Sequence, residues 1–294
     1  MDHGLFTTIK RLLNRAGFYR KRPGQTHSDG AILAVYFWSV LCDRPVSWAC
    51  DRAHWPSGLW RGALPSQSCL SRRLRTRTIL EAITRIEHAV RPAIPAVIPV
   101  AALDGKPLEI ALHSGDAQSG KGRGVGHVAR GYKFHALLDA RGTLISWRLA
   151  PLNIDERVIA RRLLREAPGL CYVVADANYH ATPLFELAHA RGVQLVAPRK
   201  RSHQGKGWRD DTHAARLRSV ELLERRGSGL GAALMNARRS VERFFAQLTN
   251  FGGGLTGLPP WVRTYRRTKS WVQAKLIIAL LRGSIPTPKK KIVA

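Results

Sequence analysis

Arg238-Arg239-Ser240-Val241-Glu242-Arg243-Phe244-Phe245 is the stretch around which the rest of the chain can be read. Val241, Phe244, Phe245 and Leu248 recur at spacings of three and four, the period of one face of a helix. Glu242 is the single acid in a run holding three arginines. On an arbitrary helix its role would be to pair with Arg238 one turn back. Two aspartates far upstream shift the balance toward a ligand. Asp104 and Asp176 each close an apolar, strand-like run, Val97 to Leu103 and Cys171 to Ala175. A strand fixes its backbone while the side chain at its end projects into open space. Two such aspartates and one glutamate from a late helix could grip divalent cations, which take hard oxygen ligands.

Composition names the partner. Lys and Arg number 48 against 20 acids, a net charge of +28, so a polyanion is expected and nucleic acid comes first. A membrane is disfavoured: the basic residues are spread along the chain, and the longest apolar run, Ala31 to Cys42, falls short of the ~20 residues a span needs. Cys42, Cys50, Cys69 and Cys171 lack CxxC spacing and read as reduced thiols of a cytosolic protein. A zinc site from Cys42, Cys50 and His54 lacks the paired spacing of structural zinc.

The first third of the chain reads as helices. Leu5, Ile9, Leu12 and Leu13 form an apolar stripe, and Ser28 or Asp29 can cap a second helix running to Cys42 that is apolar nearly all round. Cys69 to Arg77, with helix expected to run on to Arg91, could be the second helix of a helix-turn-helix or a packing helix with a solvated arginine face; Arg72 and Arg73 are its candidate DNA contacts. Pro92, Pro95 and Pro99 mark a linker. Strands follow: Val97 to Leu103, Leu108 to His113, then Tyr132 to Asp139 and Thr143 to Leu149 around a turn at Arg141-Gly142. Beyond them helices alternate with short strands: Ile154 to Leu164 with Val158, Leu163 and Leu164 inward, Cys171 to Ala175, Thr182 to Arg191, and Val193 to Ala197. Helices are expected over Arg216 to Arg226, Leu234 to Phe251 and Thr268 to Arg282. The fold class is therefore α/β, with an N-terminal all-helical, DNA-binding domain over 1–94, a catalytic domain over 95–285 and a basic tail over 286–294.

Four segments carry a resemblance. Ala102-Leu103-Asp104-Gly105-Lys106, Gly131 to Asp139, Val174-Ala175-Asp176-Ala177-Asn178-Tyr179 and Arg238 to Phe245 resemble, in order, the DDE transposases of bacterial insertion sequences. Leu152-Asn153-Ile154-Asp155-Glu156 resembles the turn before their first core helix. The resemblance implies an RNase H-like mixed sheet flanked by helices. It implies Asp104, Asp176 and Glu242 as catalytic and metal-binding residues, with magnesium, or manganese in its place. It implies cleavage at terminal inverted repeats, transfer of the freed 3′-hydroxyl to target DNA, and a homodimer on double-stranded DNA. In that family's glutamate motif Arg238 falls on the arginine position, whereas Met235 and Thr249 stand where tyrosine and lysine would be.

Competing readings remain at this level. Asp116, Asp139 and Asp155 rival Asp104, though a glycine loop, a hairpin turn and a helix cap account for them locally. Gly115 to Gly122 nearly spells a nucleotide-binding loop, but Gly122 replaces the hydroxyl residue and no helix is expected to start there. A flexible basic loop near DNA is the better reading of Lys121, Arg123 and Arg130. Lys200, Arg201, Arg238 and Arg239 complete the candidate DNA contacts. A metal-dependent nuclease without strand transfer and a non-enzymatic basic DNA-binding protein stand as alternatives.

Overall fold

The computed structural model describes residues 3–199, 213–224 and 229–283. The chain forms two compact units: residues up to Arg91 together with those from Gln247 onward, and Pro92–Ala246.

The first unit opens with α1 (His3–Arg15), which buries Leu5, Phe6, Ile9 and Leu13 on one stripe. In α2 (Asp29–Leu41) every residue but Ala31 is buried, as an all-round apolar helix requires. Ser28 caps it, its hydroxyl accepting from the Ala31 N–H. The short α3 (Val46–Ala49) leads to a cluster of indoles, with Trp38 stacked 5.1 Å from Trp55. Next come α4 (Gln67–Arg73) and α5 (Arg77–Val90). The expectation of one helix through Arg91 is not met. The chain instead breaks at Leu74–Thr76, where the Thr76 hydroxyl accepts from the Ile79 N–H and starts a new helix.

The second unit is a mixed sheet with helices. Its strands are β1 (Ile98–Ile110), β2 (Gly120–Arg123), β3 (Val128–Asp139), β4 (Leu144–Pro151), β5 (Leu170–Val174) and β6 (Gln194–Val196). The order is β2-β3-β1-β5-β6, with β4 also on β3; β1, β5 and β6 run parallel and the other pairings are antiparallel. Its helices are α6 (Glu156–Glu166), α7 (Thr182–His189), α8 (Ala214–Glu224), α9 (Gly229–Ala237) and α10 (Arg239–Thr249), the last crossing the unit boundary. Alternation along β1 sends Ala101 and Leu103 into a core with Ile159 and Leu163 of α6 and Phe185 of α7. Ala102 and Asp104 face the other way. On that side Phe245 of α10 packs 6.0 Å from Phe134 of β3.

Three expectations need correction. The runs at Val97 and Leu108 are one strand, so Asp104 lies within β1 rather than at its end. Gly105 and Pro107 read as breakers, but β3 pairs with β1 throughout, and beyond Ala102 the other edge has no β5 partner to need Pro107's missing N–H. The segment Leu234 to Phe251 is two helices, parted at Arg238. Val158 is 43% exposed, and Ile159 and Ala160 turn inward in its place. In the first unit, α11 (Tyr265–Gly283) packs on α1, α2 and α5.

Candidate active site

Asp104 sits where the sheet changes character. Ala102 is the last β1 residue paired with β5, through Val174, while Asp104 still pairs with Ala136 of β3. Its Oδ1 accepts from the Gly105 N–H at 2.7 Å. Burial is the main cause that pushes its carboxyl up to about 6. The Gly105 N–H pulls it down, Asp176 pushes it up, Arg238 pulls it down and Glu156 pushes it up, in that order of weight.

Asp176 follows β5 after Ala175, whose N–H is fixed by the Val196 carbonyl at 3.0 Å. Its Oδ1 accepts from the Asn178 N–H at 2.8 Å and so caps the turn Ala177–Tyr179. That tie sets the side chain's direction while Asp176 remains near enough to raise Asp104. Glu242 lies in the first turn of α10, 62% exposed, above the buried face of Val241 and Phe244.

Arg238 links the two elements. Its Nη2 lies 3.9 Å from Asp104 Oδ2 and 3.9 Å from Glu242 Oε1, so those oxygens are no further apart than twice that distance. The structure thus brings Asp104, Asp176 and Glu242 to one region. They do not form a closed cage: among the described residues no three His, Cys, Asp or Glu side chains stand together as a ready ion site. The donor chemistry still fits a divalent cation. The oxygens are hard, Asp104 is destabilised as an anion by burial and by a like charge, and a guanidinium faces two of the carboxylates.

A layer behind Asp104 escaped the sequence reading. Lys133 of β3 makes an ion pair with Glu156 at the start of α6. A Cβ on Gly105 would come 2.8 Å from Lys133 Cδ and 3.2 Å from His135 Nδ1, so the glycine beside Asp104 leaves room for both side chains. Tyr179 is fully buried. Its phenol is held protonated by burial first, then by the charges of Glu156, Asp104 and Asp176. Its hydroxyl closes no hydrogen bond among the described residues, yet the Glu156 carboxylate lies near enough to act on it. The signal for Glu156 was in the sequence, in the turn Leu152 to Glu156, but only the fold brings it near Asp104.

The rival acids have local work. Asp116 accepts from the Tyr132 hydroxyl at 2.9 Å, Asp139 from the N–H groups of Arg141 and Thr143, and Asp155 caps α6 through the Arg157 N–H. His54 stacks on Trp48 at 4.6 Å and its Nδ1 meets the Trp48 carbonyl. Gly120 to Arg123 is a strand paired with β3, so Lys121 and Arg123 do not lie in the flexible loop expected for them. Of the candidate DNA contacts, Lys121, Arg123, Arg72 and Arg239 are exposed. Arg73 is occupied by Asp29 and the His27 carbonyl. Lys200 and Arg201 lie outside the described residues.

Residues 95–280 match the family model described as "Transposase DDE domain", a span that contains Asp104, Asp176 and Glu242. The chain belongs to that transposase family. No curated protein matches it. Among solved structures it is similar to a piggyBac transposase in a synaptic complex with hairpin DNA, at 11% identity and a TM-score of 0.36 over 68% of this chain and 49% of that one. It spans about half the length of that relative. No described helix is long and apolar enough to cross a membrane.

Proposed function

We propose that the chain is a DDE transposase with an RNase H-like catalytic fold, which cleaves DNA at the ends of an insertion sequence and joins the freed 3′-hydroxyl to target DNA. The observation that carries this reading is the convergence of Asp104 and Glu242 on Arg238, with Asp176 acting on Asp104. Asp104, Asp176 and Glu242 would hold magnesium, or manganese in its place, which would supply activation of the attacking oxygen and neutralisation of charge on the phosphate.

The chain's own groups do the rest. β1 and the turn after β5 hold the two aspartates in fixed directions, through the Gly105 and Asn178 N–H groups. Arg238 offers its guanidinium to a phosphate oxygen beside the scissile bond, in planar geometry suited to that anion. Lys121, Arg123, Arg239 and Arg72, with Lys200 and Arg201, neutralise phosphates along the duplex. Two ends must be cut and joined together, so the working form is a homodimer bridging two terminal inverted repeats.

The test is strand transfer with a pre-cut end carrying a free 3′-hydroxyl. Joined product that needs magnesium supports the reading. Nicking without joining assigns the chain to metal-dependent nucleases instead. Binding that weakens with salt but supports neither reaction leaves a DNA-binding protein only.

A further inference from the structure

The sheet does not stop at the candidate site. Past Asp104, β1 continues to Ile110 against β3, beyond the last parallel pair with β5. β3 begins still further out, at Val128, and Val128 and Ala129 pair with β2 alone; Arg123 stands opposite Val128 and Lys121 opposite Arg130. Val128 lies eight residues along β3 from Ala136, the partner of Asp104. At ~3.4 Å per residue that places the ribbon tip about 27 Å from the carboxylate, less than one turn of B-DNA.

The two faces of this ribbon differ. On one face Gly120 and Gly122 press against the chain after β4. A Cβ on Gly122 would stand 2.3 Å from the Leu152 carbonyl oxygen, and one on Gly120 would strike Asn153. That face is closed. Cross-strand pairing puts Lys121, Arg123 and Val128 together on the other face, all exposed. Val125 at the turn is 75% exposed and Val128 71%, the two most exposed large hydrophobic residues described.

The turn is also held still. Glu109 Oε1 accepts from the Val125 N–H at 2.9 Å, and its Oε2 lies 3.2 Å from His127 Nε2. The His127 carbonyl accepts from the Gly124 N–H at 2.8 Å, and Gly126 takes the φ of +79° that the turn needs. A rigid pair of valines flanked by cations is thus presented to solvent at no gain to the fold.

We propose that this β2–β3 ribbon enters the major groove of the DNA flanking the cut, Lys121 and Arg123 on phosphates and Val125 and Val128 against thymine methyl groups. The inference rests on the DNA-processing function proposed above. The major groove admits a two-stranded ribbon, and an apolar side chain there meets the C5-methyl of thymine. The charge of the flanks selects DNA over an apolar protein partner.

The test uses the full-length protein and a 30-base-pair A·T-rich duplex, made with thymidine or with deoxyuridine, which lacks only that methyl. Wild type binds the thymidine duplex about five-fold tighter by fluorescence anisotropy. The double variant Val125→Ser, Val128→Ser binds both duplexes alike, at the weaker affinity and with the wild-type salt slope. Lys121→Gln with Arg123→Gln keeps the preference for thymidine but lowers the salt slope by ~1.8, since each lost phosphate contact removes ~0.9. Equal wild-type binding to the two duplexes, or unchanged discrimination in the valine variant, overturns the ribbon contact while salt-dependent binding keeps the wider reading alive. No wild-type binding to either duplex sinks both.

Discussion

One guanidinium faces two carboxylates drawn from different elements: Arg238 Nη2 lies 3.9 Å from Asp104 on β1 and 3.9 Å from Glu242 on α10. Without a metal, Arg238 is the cation that offsets them. Arg238→Gln is expected to destabilise the metal-free protein by about 1 kcal/mol, in the range of partly exposed ion pairs. Magnesium at 10 mM should then raise the melting temperature of the variant more than that of wild type, because no resident cation competes. Equal shifts in a calorimetric comparison would show that Arg238 and the ion do not share a site.

Asp104 carries a cost of its own. Its folded-state pKa is raised from 3.8 to about 6, chiefly by burial, so above pH 6 the folded state holds an anion that the unfolded state holds more easily. Asp104→Asn keeps an acceptor for the Gly105 N–H and removes the charge. In EDTA at pH 7.5 the variant should be more stable than wild type, by about 1–2 kcal/mol after allowance for partial exposure. The gain should fade as pH falls through 6 toward 3.8. Denaturant melts at pH 7.5 and pH 4 measure it directly, and a variant less stable than wild type at pH 7.5 would contradict it.

His135 works in the opposite direction. Burial lowers its pKa from 6.5 to about 4, against a smaller upward pull from Glu156, so the folded state keeps it neutral where the unfolded state takes up a proton. Stability from this residue is intact above pH 6.5 and is lost progressively down to about pH 4, amounting to ~3 kcal/mol at most. His135→Leu should flatten the stability curve over that interval. An unchanged slope in the variant would place the acid sensitivity elsewhere.

Lys275 anchors the first unit. Its side chain is 1% exposed, and its Nζ donates to the carbonyls of Val40 at 2.8 Å and Gly253 at 2.7 Å and pairs with Asp43. Lys275→Met preserves the stem but leaves those acceptors without their donor. A loss of about 2–4 kcal/mol in urea unfolding is expected, the cost of leaving two buried carbonyl oxygens without a donor, since Asp43 is exposed enough for water to replace the ammonium there. A loss under 1 kcal/mol would mean water replaces the ammonium.

Some of this was legible in the residues. Val173, Val174 and Ala175 form a run apolar enough to be buried on both sides, and Asp176 follows it directly. The hairpin at Arg141-Gly142 follows from its turn residues, and α2 from its all-round apolarity. What stayed hidden depended on partners distant in sequence. Gly105 and Pro107 look like a strand's end until β3 pairs with them. The break at Arg238 has no proline to announce it. Lys133 and Glu156 lie far apart in sequence, and only the packing of α6 against β3 and β4 makes them a half-buried pair behind Asp104.

The most direct measurement is magnesium-dependent nicking of a terminal-repeat duplex by wild type and by Asp104→Asn, Asp176→Asn and Glu242→Gln, with DNA affinity recorded in parallel. Wild type should nick, and each variant should lose nicking, as removal of a metal-binding carboxylate from a two-ion centre implies, while binding DNA as tightly as before. Any of the three cutting at the wild-type rate would contradict the claim that these carboxylates form the catalytic centre.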